Sequence, residues 1–313
     1  MQYDTIIIGG GISALSAAVY CGRFQLKTLV IGEKIGGNII LTESISNYPG
    51  FKKISGMDLF DKIKEHALEY KIDLVGGKVD KVKKVNDYFE VSAKEKVYKV
   101  KAIIFATGTD WRKLDVPGEK KFANKGVHYC ALCDGAFYKN KAIGVVGGSD
   151  SAAKEALLLS EYVKKVYIIY RKGRIRAEPI ILKRVQENQN IEIIYDTNVV
   201  EIKGNKFVNS IMMDKPYRGS KELKLDGLFV AIGRTPISDI AKSIAVRTNK
   251  KGEIITDKNT GATNIKGVYA CGDVADNKFK QAITAVAGGV IAANSVYRFI
   301  KNEMPVLGSS EDS

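Results

Sequence analysis

The sequence predicts an α/β protein made of two doubly wound, three-layer units, and three observations lead there. The chain has 313 residues, more than one ordinary domain needs and enough for two sizeable cores. It opens with a strand-like apolar run, Tyr3 to Ile8, then Gly9-Gly10-Gly11 and a small-residue helix beginning near Ile12. The same order returns in KAIGVVGGSDSAAKEALLLS, residues 141–160, where Ile143 to Val146 run into Gly147-Gly148 and a helix-forming stretch. A repeated strand, glycine turn and helix is the opening of a Rossmann-like dinucleotide-binding domain, so the chain reads as two of them.

The remaining elements follow from this repeat. Each copy has the next strand that a βαβ unit requires, TLVIGE at 28–33 and KVYIIYRK at 165–172. DGLFVAIGRTP, 226–236, is a further strand closed by Gly233, Arg234 and Pro236, and NIKGVYACGDVAD, 264–276, is one ending in Gly272-Asp273. KQAITAVAGGVIAANSVYRFI, 280–300, has the apolar spacing of a helix. The last residues, 307–313, are small, polar and acidic and read as a frayed tail.

Composition narrows the function classes. The formal net charge is +14, but the lysines are scattered through segments such as KVDKVKKV (78–85) and KEKVYKVK (94–101), and no nucleic-acid motif accompanies them. The plain reading is a solvated lysine-rich surface that attracts anionic cofactors or acidic protein partners, with no nucleic acid expected. The most apolar stretch, TIIIGGGISALSAAVYCG at 5–22, has Asp4 before it, no basic segment and a triple glycine at its centre, which argues against a membrane anchor. A cytoplasmic protein without membrane association is therefore expected.

The glycine turns carry the first chemistry. Gly9, Gly11 and Ala14 occupy the three positions of a GxGxxG/A fingerprint: a tight turn, a close approach of backbone to pyrophosphate, and close packing of helix on strand. Glu33 falls at the end of the next strand, where a carboxylate can accept from ribose hydroxyls. The second turn departs from this pattern, because its three positions are Gly147, Ser149 and Ala152. A serine stands where backbone should approach the phosphates, although its hydroxyl could bond one. Just after the following strand, YRKGRIR at 170–176 supplies Arg171, Lys172 and Arg176 in place of an acid, which favours a 2′-phosphate and hence NADPH over NADH.

The second chemistry lies in CALCDG, residues 130–135. A CxxC can be half a zinc site, a disulfide staple or a redox pair. Zinc needs four ligands, and the sequence offers no second CxxC and two histidines, His66 and His128; His128 could complete an HxCxxC set but reads more simply as a local polar residue. Four scattered cysteines do not form a secreted disulfide framework. If Cys130 opens a helix, the amides of its first turn stabilise a thiolate and make the pair reactive near neutral pH. Cys21 and Cys271 read as buried small hydrophobes, and His66 as a surface or packing residue.

The order of motifs resembles one family, the low-molecular-weight thioredoxin reductases of the pyridine nucleotide-disulfide oxidoreductases. The matching stretches include GGGISALSAAVY (9–20), GGNI (36–39), SNYPG (46–50), ATG (106–108), CALCDGAFY (130–138), VVGGSDSA (145–152), YRKGRIRAE (170–178), AIGRTP (231–236), GVYACGDV (267–274) and KQAITAVAGG (280–289).

The resemblance implies a discontinuous FAD domain, 1–111 with 242–313, and an inserted NADPH domain, 112–241, that carries the CxxC. It also implies hinges near Trp111 to Asp115 and Ile237 to Ala241, about which the two domains rotate. By position, FAD would meet Gly9, Gly10, Gly11, Ser13 and Ala14, then Glu33, Gly36, Gly37 and Asn38, then Asn47, Gly108, Gly272, Asp273, Gln281 and Ala282. NADPH would meet Gly147, Ser149, Asp150, Ser151, Arg171, Lys172, Arg176 and Arg234. Lys280 stands where the family has an arginine. Cys130 would be the outer thiol that attacks a partner, Cys133 the sulfur beside the flavin, and Asp134 the acid that protonates the leaving thiolate. The implied enzyme is an NADPH-dependent thioredoxin reductase, a homodimer with a thioredoxin- or glutaredoxin-like protein substrate. Two alternatives stand beside it: a flavin-dependent thiol oxidase or reductase fed by another donor, and a flavin-containing binding module whose dithiol is vestigial.

Overall fold

The structure, a computed structural model, describes residues 2–42 and 45–302. The tail read at 307–313 lies outside the described residues. In chain order the elements are β1 (Gln2–Ile8), α1 (Ile12–Arg23), β2 (Thr28–Gly32), α2 (Gly56–Leu68), β3 (Asp73–Gly76), β4 (Val79–Val85), β5 (Tyr88–Ala93), β6 (Lys96–Phe105) and β7 (Thr109–Trp111). There follow β8 (Val127–His128), α3 (Ala131–Asp134), β9 (Ala142–Val146), α4 (Asp150–Ser160), β10 (Lys165–Ile169), α5 (Pro179–Glu187), β11 (Ile191–Ile194), β12 (Val199–Gly204), β13 (Val208–Tyr217), β14 (Ser220–Lys224) and β15 (Gly227–Val230). The chain ends through β16 (Arg234–Pro236), α6 (Asp239–Lys242), β17 (Val268–Ala270) and α7 (Ala282–Lys301).

These elements form two compact units, Met1–Asp110 with Thr235–Ser313, and Trp111–Arg234. The chain crosses between them in β7 and β16, which pair with each other. The return crossing thus precedes the boundary at 241/242 expected from the sequence. Residues 235–241 belong to the first unit because Ile237 donates its N–H to the Gly108 carbonyl, accepts from the Thr107 hydroxyl, and is followed by Ala241, buried in the first core.

In the first unit the strands run β3-β2-β1-β6-β5-β4, with β17 on the far end of β6. The parallel part is β3-β2-β1-β6-β17, and its central strands are buried without a break at 5–8, 28–32 and 102–105 because both faces are covered there. Alternate residues point to opposite faces. Ile6, Leu29, Ile31, Ile103 and Phe105 face a core shared with β4, β5 and α6, while Ile7, Val30, Ala102 and Ile104 face α1 and α7. The covering layer on the first face is therefore largely antiparallel strands. On the other face α1 can approach α7 closely because both carry small residues: a Cβ on Gly289 would strike Ser16 and the Ser13 carbonyl. By length and composition α7 could cross a membrane, yet Ala292, Ala293 and Val296 lie wholly inside the α1–α7 core.

The second unit repeats the scheme, with all neighbours parallel in the order β11-β10-β9-β15-β8. Ile143, Val145, Val166 and Ile168 face α4 and α5, and Val146, Ile169, Leu228 and Val230 face the antiparallel sheet β12-β13-β14.

Candidate active site

In the first unit, β1 ends in a turn that the packing forces to be glycine. Gly9 has φ +137°, and a Cβ there would overlap the Ala106 carbonyl. Gly11 is different. Its φ of −88° suits any residue, and a Cβ would meet nothing nearer than the Gly37 Cα at 3.9 Å. A glycine that the protein itself does not require leaves space for something outside it, and no side chain caps α1. Uncapped helix amides beside open backbone fit a pyrophosphate. Ala14 is fully buried, as the third fingerprint position demands, and Ser13 is buried beside it. Glu33 is exposed just past the end of β2.

The other residues expected around this ligand fall into two sets. Asn38 donates from Nδ2 to the Thr109 carbonyl (2.8 Å), which ties the Gly36-Gly37 loop to the segment after Gly108. Both Gly37 and Gly108 have positive φ, and a Cβ on Gly108 would touch nothing. Asn47 donates to Gln281 Oε1 (3.1 Å), joining residues far apart in sequence at the start of α7, where Gln281 and Thr284 form a capping box ahead of Ala282. Gly272, with φ +71°, lies against Ser13. Lys280 donates to the Asp273 carbonyl (2.7 Å) and to Glu253 Oε1 (2.6 Å). Burial pushes the Glu253 carboxyl up, but hydrogen bonds from Lys280 and Asn249 prevail and hold it below the usual range. Lys280 thus braces the Asp273 loop with a single ammonium group.

In the second unit the turn after β9 is held by packing at Gly147, beneath the Ala231 carbonyl, and at Gly148, against the Tyr170 ring. Ser149 is the N-cap of α4, its Oγ accepting weakly from the Ala152 N–H at 3.4 Å. The serine therefore takes one of the amides that a phosphate would use. Arg176 pairs in parallel with Ser149 and donates its N–H to the Gly148 carbonyl (2.8 Å), so the loop of Arg171, Lys172 and Arg176 is docked on the turn with its basic side chains exposed. Asp150 adds a further tie, to the residue that ends this loop. It binds Lys154 (2.6 Å) and the Glu178 N–H (3.0 Å). Ser151 is exposed, and the Arg234 guanidinium lies 5.1 Å from the Trp111 ring centre. Glu155 on α4 drew no notice in the sequence. Burial raises its carboxyl to about 7 against the pull of Arg234, and its Oε2 has no hydrogen-bond partner.

Cys130 and Cys133 are joined in a disulfide. Cys130 is the N-cap of α3, and its Sγ accepts the Cys133 N–H at 3.2 Å, the local arrangement that stabilises negative charge on that sulfur. Cys130 is half-buried and Cys133 exposed. Asp134 Oδ2 lies 3.0 Å from His128 Nδ1, off the axis of the ring N–H, and His128 Nε2 lies 2.7 Å from the Tyr138 hydroxyl. His128 is therefore a buried partner of Asp134, where the sequence suggested a local polar residue. Among the described residues no group of three or more His, Cys, Asp or Glu side chains could hold a metal. His66 is exposed on α2, and burial lifts the thiols of Cys21 and Cys271 to about 12, so both are inert.

Comparison with known proteins agrees with this geometry. The model of the family described as pyridine nucleotide-disulphide oxidoreductase matches residues 3–289. The thioredoxin reductase of Bacillus subtilis (strain 168) is 38% identical over 308 residues, covering 97% of each chain. Among solved structures, the thioredoxin reductase of Lactococcus lactis superposes with a TM-score of 0.91 at 37% identity, over 96% of this chain and 99% of that one. That of T. acidophilum gives 0.88 at 33% identity, over 95% and 98%.

Proposed function

Because this chain belongs to the pyridine nucleotide-disulphide oxidoreductase family, and within it stands with the low-molecular-weight thioredoxin reductases as a flavoprotein disulfide reductase, we propose that it carries electrons from NADPH to a thioredoxin- or glutaredoxin-like protein. The observation that carries this reading is the Cys130–Cys133 disulfide, capped at Cys130, in the unit that also docks a basic loop on a nucleotide turn. FAD, when bound, supplies two-electron chemistry between a nicotinamide hydride and a disulfide. The first unit would hold it by the uncapped α1 turn from Gly9 to Ala14, by Glu33 to Asn38, and by Asn47, Gly108, Gly272, Asp273, Gln281 and Ala282. Arg171, Lys172 and Arg176 would pair with the 2′-phosphate of NADPH, with Gly147, Ser149, Asp150, Ser151 and Arg234 nearby.

The dithiol then acts on the protein substrate. Cys130 attacks, as the sulfur with the backbone N–H; Cys133 resolves the mixed disulfide; Asp134 gives a proton to the departing thiolate. The enzyme works in the cytoplasm as a homodimer by the same reading. Anaerobic titration with NADPH and with NADH tests the donor: NADPH should bleach the flavin absorbance rapidly and NADH slowly. Transfer onward to a thioredoxin should vanish in Cys130→Ser while the bleaching persists.

One observation favours a second reading. Ser149 occupies the Ala152 amide, which suits a flavin fed by a donor other than a nicotinamide. Absence of bleaching by either nucleotide would select that reading and sink the first.

A further inference from the structure

The wall behind Asp134 is built from residues distant in sequence. β8 is two residues long and pairs in parallel with β15, so that His128 sits opposite Phe229. The His128 ring stacks on Phe229 at 5.3 Å and meets the Tyr138 ring edge-on at 5.4 Å. Packing thus fixes the ring plane, and the two ring nitrogens have different neighbours: Nε2 meets the Tyr138 hydroxyl at 2.7 Å, and Nδ1 lies 3.0 Å from Asp134 Oδ2, off the axis of its N–H. His128 is 6% exposed, whereas the Asp134 side chain is 28% exposed. One end of the row is sealed and the other reaches water. A buried imidazole with a carboxylate on one side and a phenol on the other is an arrangement for holding a proton.

We infer that His128 stores the proton that Asp134 delivers to the leaving sulfur, acting as a positioning and proton-supplying residue through Asp134. This rests on Asp134 being the acid of the thiol exchange. The step balances as follows. The Cys130 thiolate uses its electron pair to form a bond to one sulfur of the substrate disulfide, and the substrate S–S bond breaks. The departing sulfur keeps that bond's electron pair and takes a proton from Asp134. Once the partly exposed Asp134 carboxylate turns onto the ring N–H axis, the Nδ1 proton of the His128 imidazolium replaces it on Asp134, Nε2 keeps its own, and water returns one proton to the row through the exposed carboxyl.

Tyr138 accepts from Nε2–H in both states of the ring, since that nitrogen keeps its proton throughout, and so holds the tautomer that leaves Nδ1 to exchange with Asp134. Burial first, then the carboxylates of Asp134 and Asp226, push its hydroxyl up to about 12, so it keeps its proton throughout. The charged or titratable groups that bear on His128 are Asp134 from α3 and Tyr138 from the turn after it. Asp226, before β15, and Lys141, whose ammonium lies 5.6 Å from the Tyr138 ring centre, act on Tyr138; β15 itself contributes uncharged Phe229.

Two disulfides of different leaving group test the inference. Holoenzyme reduced anaerobically with dithionite, which makes the result independent of the natural donor, is mixed with a cystine-bridged peptide or with 5,5′-dithiobis(2-nitrobenzoic acid). The alkyl thiolate that leaves the peptide is basic and needs a proton, whereas the aryl thiolate leaves without one. His128→Gln should slow the peptide reaction about tenfold or more and move its alkaline limb to lower pH, with the aryl reaction within about twofold of wild type. Equal slowing of both probes, or no slowing of either, overturns the inference. Asp134→Asn separates the two claims: if it leaves the peptide reaction intact, the acid assignment itself fails; if it slows that reaction while His128→Gln does not, only the relay fails. Should His128→Gln not fold, Tyr138→Phe replaces it, with a several-fold loss confined to the peptide expected and an unchanged rate contradicting the scheme.

Discussion

Gly9 and Gly11 stand two residues apart in one turn, and substitution by alanine should have opposite consequences at the two positions. At Gly11 the backbone is in the ordinary extended region and the new methyl would clear every protein atom by about the 3.9 Å that separates it from Gly37. Alanine is a poorer N-cap than glycine by about 0.5 kcal/mol, and it restricts the unfolded chain by a similar amount, so the net change is within about 0.5 kcal/mol. The apoprotein should melt within about 2 °C of wild type. The methyl instead occupies the approach path of a pyrophosphate, and loss of one or two charge-assisted hydrogen bonds costs about 2–4 kcal/mol, a loss of flavin affinity of about 30-fold to 1000-fold. At Gly9 the strain of φ +137° and the overlap with the Ala106 carbonyl together cost about 2–5 kcal/mol of stability. Melting of both apoproteins, and flavin titration of Gly11→Ala followed by fluorescence, decide the matter. A Gly11→Ala protein that binds FAD within threefold of wild type would refute the placement of pyrophosphate at this turn.

Two further outcomes follow from the second unit. Ser149→Gly removes a weak cap at a cost of a few tenths of a kcal/mol and frees the Ala152 amide; steady-state assays should show KM for NADPH falling about threefold or more, and an unchanged KM would mean that the serine yields its place at no cost. Glu155 binds its proton more tightly in the folded chain than in the unfolded one, since its value is raised to about 7. Its contribution to stability is therefore undiminished below about pH 4.5 and is lost as pH rises through 7. Glu155→Gln should accordingly stabilise the protein by about 1–2 kcal/mol at pH 8 and much less at pH 5, seen as a melting-temperature gain confined to the higher pH; an equal gain at both would show that the carboxyl is solvated.

The two nucleotide folds were legible because their signals are local. A strand, a glycine that packing requires and a small-residue helix lie within about twenty residues, and both copies fold as read, from Gly9 to Ala14 and from Gly147 to Ala152. The CxxC was likewise local: Cys130 opens a helix, the condition on which its reading as a reactive pair rested. What the sequence hid depends on residues that folding alone brings together. His128 looked like a stray polar residue because its neighbours, Tyr138 and Phe229, are ten and about a hundred positions away. The Glu178 N–H that returns to Asp150 is likewise absent from any local pattern, since it lies 28 positions away. Glu155 follows Lys154 in a polar-looking stretch, and its burial appears only when α4 is set on its sheet. The return crossing at residue 234 was missed for the same reason, since Ile237 is held by Thr107 and Gly108, which precede it by some 130 residues.

The paired strands at the crossing have a consequence for how such a chain can be cut. Trp111 and Arg234 open and close the second unit, and their neighbours Arg112 and Gly233 share a backbone hydrogen bond of 3.0 Å, so the unit begins and ends at one point. To the first unit, the whole intervening segment behaves as a loop whose mouth is already shut, and its removal would leave two ends that a short turn could join at little cost in closure entropy. The second unit is in this sense a cassette: it could be excised, exchanged or circularly permuted at that point with its own sheet uninterrupted.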